Sequence, residues 1–234
     1  MTDHTVKSYD EELNRMTGVI AQMGGLVEQQ ISSAVSALMR RDTERASEVV
    51  ATDQRIDTLE DDVEQLALRL LALRQPLAFD LRLVTTAVKI ASDLERMGDY
   101  AANVAKRSIT LAKLDPIRMT LSVPRIAELV QSMVKDVLDA FVDRDVEKAL
   151  SVWRRDEDVD AVYNSLFREL LTYMMEDPRH ITPCIHMLFI AKNLERIGDH
   201  ATNIAEQVNF LVRGKPVEEA RPKGDMTPFS APQQ

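Results

Sequence analysis

Residues 90–107 read IASDLERMGDYAANVAKR, and residues 190–207 read IAKNLERIGDHATNIAEQ. The two stretches lie 190 − 90 = 100 residues apart, and the same amino acid stands at 10 of their 18 positions. Ordinary amino-acid usage would give about one match over this length. The chain therefore contains an internal repeat.

The repeat extends upstream of these two stretches. RDTERA, which begins at Arg41, aligns with RDVEKA, which begins at Arg144, at an offset of 144 − 41 = 103. The change of offset from 103 to 100 corresponds to a deletion of three residues in the second half, which we place in a connecting loop. Duplication of one ancestral unit is the simplest explanation.

Each unit reads as three long helices. Apolar residues recur at helical spacing, and prolines or capping residues separate the segments. The predicted helices cover about residues 5–41, 42–74, 76–113, 122–143, 145–176 and 179–212. A helix of 30 residues is about 45 Å long, so such helices close only as elongated bundles with short connections. We predict an all-α fold of two tandem antiparallel three-helix bundles.

The predicted domain boundary lies where Leu114-Asp115-Pro116 ends the third helix. We assign residues 1–115 to the first repeat and residues 121–213 to the second. Residues 214–234 contain four prolines among charged and small side chains, and we expect this tail to be disordered.

Composition limits the classes of partner. The chain has 38 acidic and 29 basic residues, a net charge of −9, and no block of Lys or Arg, which argues against nucleic acid. No apolar run approaches the roughly 20 residues of a membrane span, so we expect no membrane insertion. Met1–Asp10 lacks the apolar stretch of a secretory signal, and the expected location is the cytoplasm. The single Cys184 excludes an internal disulfide and is expected to be a buried apolar residue.

Four helical segments carry the same series of oxygen-bearing side chains, which we call ladders. In each, an acid is followed four residues later by a second acid and after four more by Asn or Asp. The ladders are Asp53, Asp57 and Asp61; Glu95, Asp99 and Asn103; Asp156, Asp160 and Asn164; and Glu195, Asp199 and Asn203. Side chains at this spacing lie within an arc of about 80° and form one strip along a helix.

The strips are expected to face away from the core. On a helical wheel Asp99 lies about 180° from Ile90, whereas Leu94 lies within about 40° of it. Like charges four residues apart destabilise a helix by about 0.2–0.5 kcal/mol per pair, which a bound cation would offset. Arg96 and Arg196 offer a second solution, in which each forms a salt bridge with an acid of a neighbouring helix and no metal is needed. A solvated charged face is the third interpretation.

LERMGDYAANVAKR and LERIGDHATNIAE, one in each half, resemble the signature of the PhoU family of phosphate-uptake regulators. The length, the duplication and the segment PLAFDLR at residues 76–82 agree with it. The resemblance covers about residues 9–211. It implies two three-helix bundles, commonly a homodimer, in the bacterial cytosol.

The resemblance also implies a function. Members of this family repress the phosphate-starvation (Pho) response when phosphate is plentiful. They act as adaptors between the high-affinity phosphate ABC transporter, through its ATPase subunit, and a membrane-bound sensor histidine kinase. The resemblance thus implies a negative regulator of phosphate uptake and homeostasis.

Some family members carry iron or zinc on the acidic ladders, so the resemblance implies candidate metal ligands here. They are Asp53, Asp57, Glu95, Asp99, Asp156, Asp160, Glu195 and Asp199, with Asn103 and Asn203 as supporting ligands. No cofactor is required by the resemblance. The sequence departs from the family's repeated pattern at two places. Asp61 stands where the other ladders have Asn, and residues 180–183 stand where the first half has the segment that holds Arg82.

Two other classes of function share these features. A di-metal carboxylate oxidase needs inward Glu-x-x-His pairs, and the sequence contains none. No phosphate-binding Gly-rich loop or nucleophile motif is present either, so we expect no enzyme and no catalytic residues. A metal-binding helical bundle or a chaperone-like scaffold without a signalling role remains the alternative.

Overall fold

The structure, a computed structural model, describes residues 2–116 and 122–219, with side chains from Tyr9 onward. Its helices are α1 (Thr2–Arg40), α2 (Thr43–Arg74), α3 (Ala78–Leu111), α4 (Ser122–Asp143), α5 (Val146–Arg154), α6 (Asp156–Glu176) and α7 (Ile181–Arg213). A short 3₁₀ turn, Pro178–His180, precedes α7. Most of the tail that was expected to be disordered, residues 220–234, lies outside the described residues.

The first repeat consists of α1, α2 and α3. Asp42 caps α2, because its side chain accepts a hydrogen bond from the Arg45 backbone N–H at 3.0 Å. Arg41, with φ of 55°, makes the tight turn that reverses the chain before this cap. The turn is short, and α1 and α2 therefore pack as antiparallel neighbours.

The second repeat consists of α4, α5, α6 and α7 and repeats the same turn. Arg144 has φ of 56°, and the Asp145 side chain accepts from the Lys148 N–H at 3.0 Å. The helix predicted for residues 145–176 is broken at Arg155 into α5 and α6. The Arg155 side chain is tied to α4 by hydrogen bonds to Ser132 Oγ at 2.8 Å and Asp136 Oδ2 at 2.6 Å. The break therefore coincides with a side-chain anchor that a sequence pattern does not show.

Helices α3 and α7 run antiparallel and join the two repeats. Arg82 Nε donates to Leu211 O at one end of this seam, and Arg107 contacts His186 at the other. On the far side, α1 crosses α4 at Gly24, where an added Cβ would lie 2.7 Å from Leu138. Glycine at this position thus permits the close approach of the two repeats.

One apolar core runs through both repeats. The largest fully buried side chains are Met16, Ile20, Met23, Ile31, Leu38, Ile56, Leu70, Ile90, Leu94, Met97, Ile126 and Met133. Cys184 is buried as expected. The predicted all-α fold of two tandem three-helix units is confirmed, apart from the break at Arg155. None of the described helices combines the length and apolar character needed to cross a membrane.

Candidate functional site

Each repeat gathers its two ladders into one group of carboxylates. We call Asp53, Asp57, Glu95 and Asp99 the first acidic cluster, and Asp156, Asp160, Glu195 and Asp199 the second acidic cluster. The first cluster lies between α2 and α3, and the second lies between α6 and α7. The two ladders of one repeat therefore lie on adjacent antiparallel helices and face each other.

In the first cluster, Asp53 is held by a buried amide from α1. Gln30 is only 2% exposed, and its Nε2 donates to Asp53 Oδ1 at 3.1 Å and to Val49 O at 3.3 Å. Burial raises the pKa of Asp53, and the negative charge of Asp99 adds to this, whereas the hydrogen bond from Gln30 lowers it. This end of the cluster is a polar contact of three helices.

Gly98 of the LERMGD stretch makes this contact possible. A Cβ at Gly98 would lie 2.9 Å from Ile56 Cδ1, 3.2 Å from Gln30 Oε1 and 3.4 Å from Asp53 Oδ1. The absence of a side chain lets α3 approach α2 closely enough for Gln30 and Asp53 to meet beside it.

Glu95 is the most perturbed acid of the first cluster. Burial and the charges of Asp99, Glu60 and Asp57 raise its pKa to about 7, against a smaller opposing effect of Arg96. The pKa of Glu60 is raised as well, again mainly by burial. At neutral pH part of this carboxylate repulsion is therefore relieved by protonation.

The second cluster is more deeply buried than the first. Asp156 is 3% exposed, Asp160 5% and Glu195 6%. The expectation that the ladders face away from the core is wrong for these three residues. A wheel drawn for one helix places the strip opposite that helix's own core face, but it does not show that the neighbouring helix of the bundle covers the strip.

Lys192 supplies a positive charge to the second cluster. Its Nζ lies 2.8 Å from Glu195 Oε1 and 5.1 Å from the centre of the Tyr163 ring. Burial raises the pKa of Glu195, and the charges of Asp199 and Asp160 act in the same direction, whereas the Lys192 hydrogen bond lowers it. The buried Glu195 Oε2 has no hydrogen-bond partner in the described part of the chain.

Arg96 and Arg196, which occupy equivalent positions in the two repeats, do not form the predicted salt bridge with any described acid of a neighbouring helix. Arg96 lies 3.7 Å from Glu95 and 3.9 Å from Asp99, both on its own helix. Arg196 lies over the Tyr100 ring at 5.6 Å, across the seam. Arg96 thus offsets the first cluster only from its exposed side, and the predicted bond to an acid of a neighbouring helix is wrong for it.

Asn203, a proposed supporting ligand, is directed to the seam. Its Nδ2 donates to Asp93 Oδ1 at 3.2 Å, and His200 Nδ1 lies 2.7 Å from the same oxygen. Asn103 is half-buried on α3. The amide of Asn203 therefore joins the two repeats.

The clusters offer the atom types that hard divalent cations prefer. Among the side chains of residues 9–116 and 122–219, however, no three from His, Cys, Asp or Glu are grouped so that they could hold a metal ion. As placed, the side chains do not form a closed ligand set. Metal binding at the eight carboxylates stays a prediction.

Four residues of these sites were not found from the sequence: Gln30, Glu60, Asp93 and Lys192. None belongs to a ladder, and Gln30 comes from a different helix. Lys192 had one available signal, because it is a lysine three residues before Glu195 on the same helix. Ser92 stands at its place in the first half.

Comparison with known proteins gives one consistent result. The family model described as "PhoU domain" matches residues 20–108 and 123–208, one match in each repeat. A phosphate-specific transport system accessory protein PhoU homolog of Caulobacter vibrioides is 53% identical over 97% of this chain and 99% of that protein. The homolog of Rhizobium meliloti is 48% identical over 96% of this chain and 95% of that protein.

Solved structures agree with the sequence matches. The crystal structure of PhoU from Pseudomonas aeruginosa has a TM-score of 0.85 and 44% identity, and the match covers 88% of this chain and 100% of that one. The phosphate transport system regulatory protein PhoU from Streptococcus pneumoniae has a TM-score of 0.84 and 33% identity, with 90% and 100% covered.

Proposed function

The chain belongs to the PhoU family, and from this premise we propose that it is an accessory protein of a phosphate transport system. The observation that carries the proposal is the agreement of both repeats with the family over nearly the whole chain. Relatives matched at this length and identity are named as phosphate-specific transport accessory proteins.

The finer proposal is a negative regulator of the phosphate-starvation response. In this role the chain acts in the cytoplasm as an adaptor and contacts the transporter's ATPase subunit and the sensor histidine kinase. The net charge of −9 suits contacts to other proteins better than contacts to nucleic acid. We propose a homodimer as the active form.

We propose no enzymatic activity. The buried carboxylates lie in contacts between helices, and neither cluster has an adjacent Glu-x-x-His pair. A cation at either cluster would act on the packing of its helix pair, and the candidate cations are iron, zinc or another divalent ion.

A binding experiment tests the adaptor role. The full chain is immobilised and exposed separately to the purified ATPase subunit, to the cytoplasmic part of the sensor kinase and to an unrelated unfolded protein. Selective, saturable binding of the first two is expected. Equal retention of the unfolded protein would instead support a chaperone-like scaffold, and retention of none would reject the adaptor.

A further inference from the structure

At one end of the seam two arginines gather around a single phenylalanine. The Arg144 guanidinium lies 4.8 Å from the centre of the Phe79 ring, and that of Arg82 lies 5.8 Å from it. Phe79 and Arg82 belong to the first repeat, whereas Arg144 belongs to the second. Both distances lie in the range of cation–π contacts, which hold the guanidinium groups in place.

These two arginines have no acidic partner in the described part of the chain. No carboxylate there lies within 4.0 Å of either guanidinium. Arg82 uses Nε to bind Leu211 O, and Arg144 makes no hydrogen bond with a described residue through its side chain. What sets Arg82 and Arg144 apart is that both guanidinium groups lie over the same ring, so that two positive charges are gathered at one place.

The corresponding arginine of the first repeat is used differently. Arg41 aligns with Arg144 and has nearly the same φ, but its Nη2 donates to the carbonyl oxygens of Ala112 and Leu114 and so caps the end of α3. In the second repeat α7 ends instead at Gly214, with φ of 69°, and Arg82 binds the carbonyl of Leu211. Arg144 is left exposed over Phe79.

Exposed apolar residues lie close in the chain to Phe79, to Arg144 and to the carbonyl group that Arg82 binds. Leu77, 79% exposed, precedes Phe79 by two residues; Val142, 55% exposed, precedes Arg144 by two; and Val212, 38% exposed, follows Leu211. We call Leu77, Phe79, Arg82, Val142, Arg144 and Val212 the seam patch. Arginine and aromatic side chains next to apolar ones are typical of the central part of a protein interface.

We propose that the seam patch is a docking surface for a partner protein segment that carries a carboxylate beside apolar residues. The partner's Asp or Glu pairs with the Arg144 and Arg82 guanidinium groups, and its apolar side chains cover Leu77 and Val142. Arginine suits this role because its planar fork binds a carboxylate through two parallel hydrogen bonds. The inference deepens the proposed accessory role and rests on it.

Charge favours this occupant over two others. A second copy that docked the same patch face to face would place Arg82 and Arg144 against the same arginines. An anionic lipid surface attracts clusters of about four to eight basic residues, and the net charge of −9 opposes approach to it. A carboxylate on another protein satisfies both arginines without either cost.

The test uses the full chain in phosphate-replete cells, with Leu77 replaced by the photo-cross-linking residue p-benzoylphenylalanine. We expect an adduct whose attachment point, mapped by mass spectrometry, lies in a partner segment with Asp or Glu next to apolar residues. Arg144→Glu should lower the adduct yield about tenfold or more, and Arg144→Gln should lower it less. Arg154→Glu is the matched control, because Arg154 is an exposed arginine of the same repeat outside the patch.

Several results would overturn the proposal: an adduct with a second copy of the chain, an adduct with lipid, no adduct, or a yield that neither Arg144 variant lowers. Circular dichroism of the purified variants checks that they fold. The identity of the captured protein bears separately on the proposed function. An acidic segment in a protein unrelated to phosphate transport would support the seam patch and reject the accessory role.

Discussion

The first and second acidic clusters have the same carboxylate spacing but different surroundings. In the first, a neutral amide from Gln30 holds Asp53, and Arg96 approaches only from the exposed side. In the second, three of the four acids are buried, and Lys192 forms an ion pair with Glu195. The repeated pattern therefore fixes where carboxylates stand, whereas the neighbouring helices decide how their charge is compensated.

The largest expected effect comes from removing the counter-charge of the second cluster. Lys192→Met leaves Glu195 buried without its cation and should lower the free energy of unfolding by about 2–3 kcal/mol at pH 7, measured by urea denaturation. The matched change in the first repeat, Ser92→Met, removes only the hydrogen bond of an exposed hydroxyl group to Glu60 and should cost less, about 1 kcal/mol.

A second substitution in the Lys192→Met variant tests whether the loss of stability comes from the unpaired charge of Glu195. Adding Glu195→Gln removes the unpaired charge and should restore most of the lost stability. Equal stability of Lys192→Met and the unmodified chain would show that Lys192 does not compensate the cluster.

The two glycines of the repeat should respond with opposite signs. Gly98→Ala places a Cβ 2.9 Å from Ile56 and 3.2 Å from Gln30, and we expect a net loss of about 1 kcal/mol. At Gly198 the nearest atom would lie 3.5 Å away, an ordinary contact, so Gly198→Ala should gain about 0.5–1 kcal/mol from helix propensity. Thermal denaturation of both variants gives the comparison, and equal shifts would contradict it.

The raised pKa of Glu95 predicts that the stability of the folded chain depends on pH. Burial first, and then the neighbouring acids, raise its pKa from 4.5 to about 7 in the folded chain. Its contribution to stability is therefore fully present below about pH 4.5 and is lost as the pH rises through about 7. Glu95→Gln should stabilise the chain by about 1–2 kcal/mol at pH 8 and have little effect at pH 4.5.

Urea denaturation at both pH values measures this difference. Glu44→Gln, at an exposed acid in the first turn of α2, serves as the control for removal of one negative charge. A gain that is the same at both pH values would contradict the assignment to the Glu95 pKa.

The smallest expected effect is a difference between the two clusters in how strongly a divalent cation stabilises them. The first cluster has an exposed acid, Asp57, and no ion pair with a lysine among the described residues. Mn²⁺ should therefore stabilise it more than the second cluster, by at most about 1 kcal/mol at millimolar concentration. Calorimetry and thermal denaturation should show that Asp57→Asn weakens the effect and Asp199→Asn changes it less. The reverse order would place the cation in the second cluster.

Sequence periodicity was sufficient for the helices, except for the break at Arg155, and for the positions of the ladders along them. Asp42 and Asp145, for example, cap α2 and α5 through purely local hydrogen bonds. The burial of Asp156 and Asp160 depends on packing between helices, which one helical wheel does not contain. For the same reason Gln30, far from Asp53 in the chain, could not be assigned to the site.

The seam patch shows the same limit. Arg41 and Arg144 occupy equivalent turns, and sequence alignment alone gives them the same role. In the structure, however, the chain turns at Gly214, and Arg82 binds the carbonyl group of Leu211. Arg144 therefore does not cap α7 in the way that Arg41 caps α3. Duplicated units can therefore diverge in function at positions where their sequences still agree.

Deletion of the gene in its own organism tests the central claim most directly. Expression of phosphate-starvation genes is measured in phosphate-rich medium, with and without the full chain supplied in trans. A negative regulator predicts that these genes are switched on in the deletion strain and repressed again on complementation. Full repression in the deletion strain would contradict the proposed function.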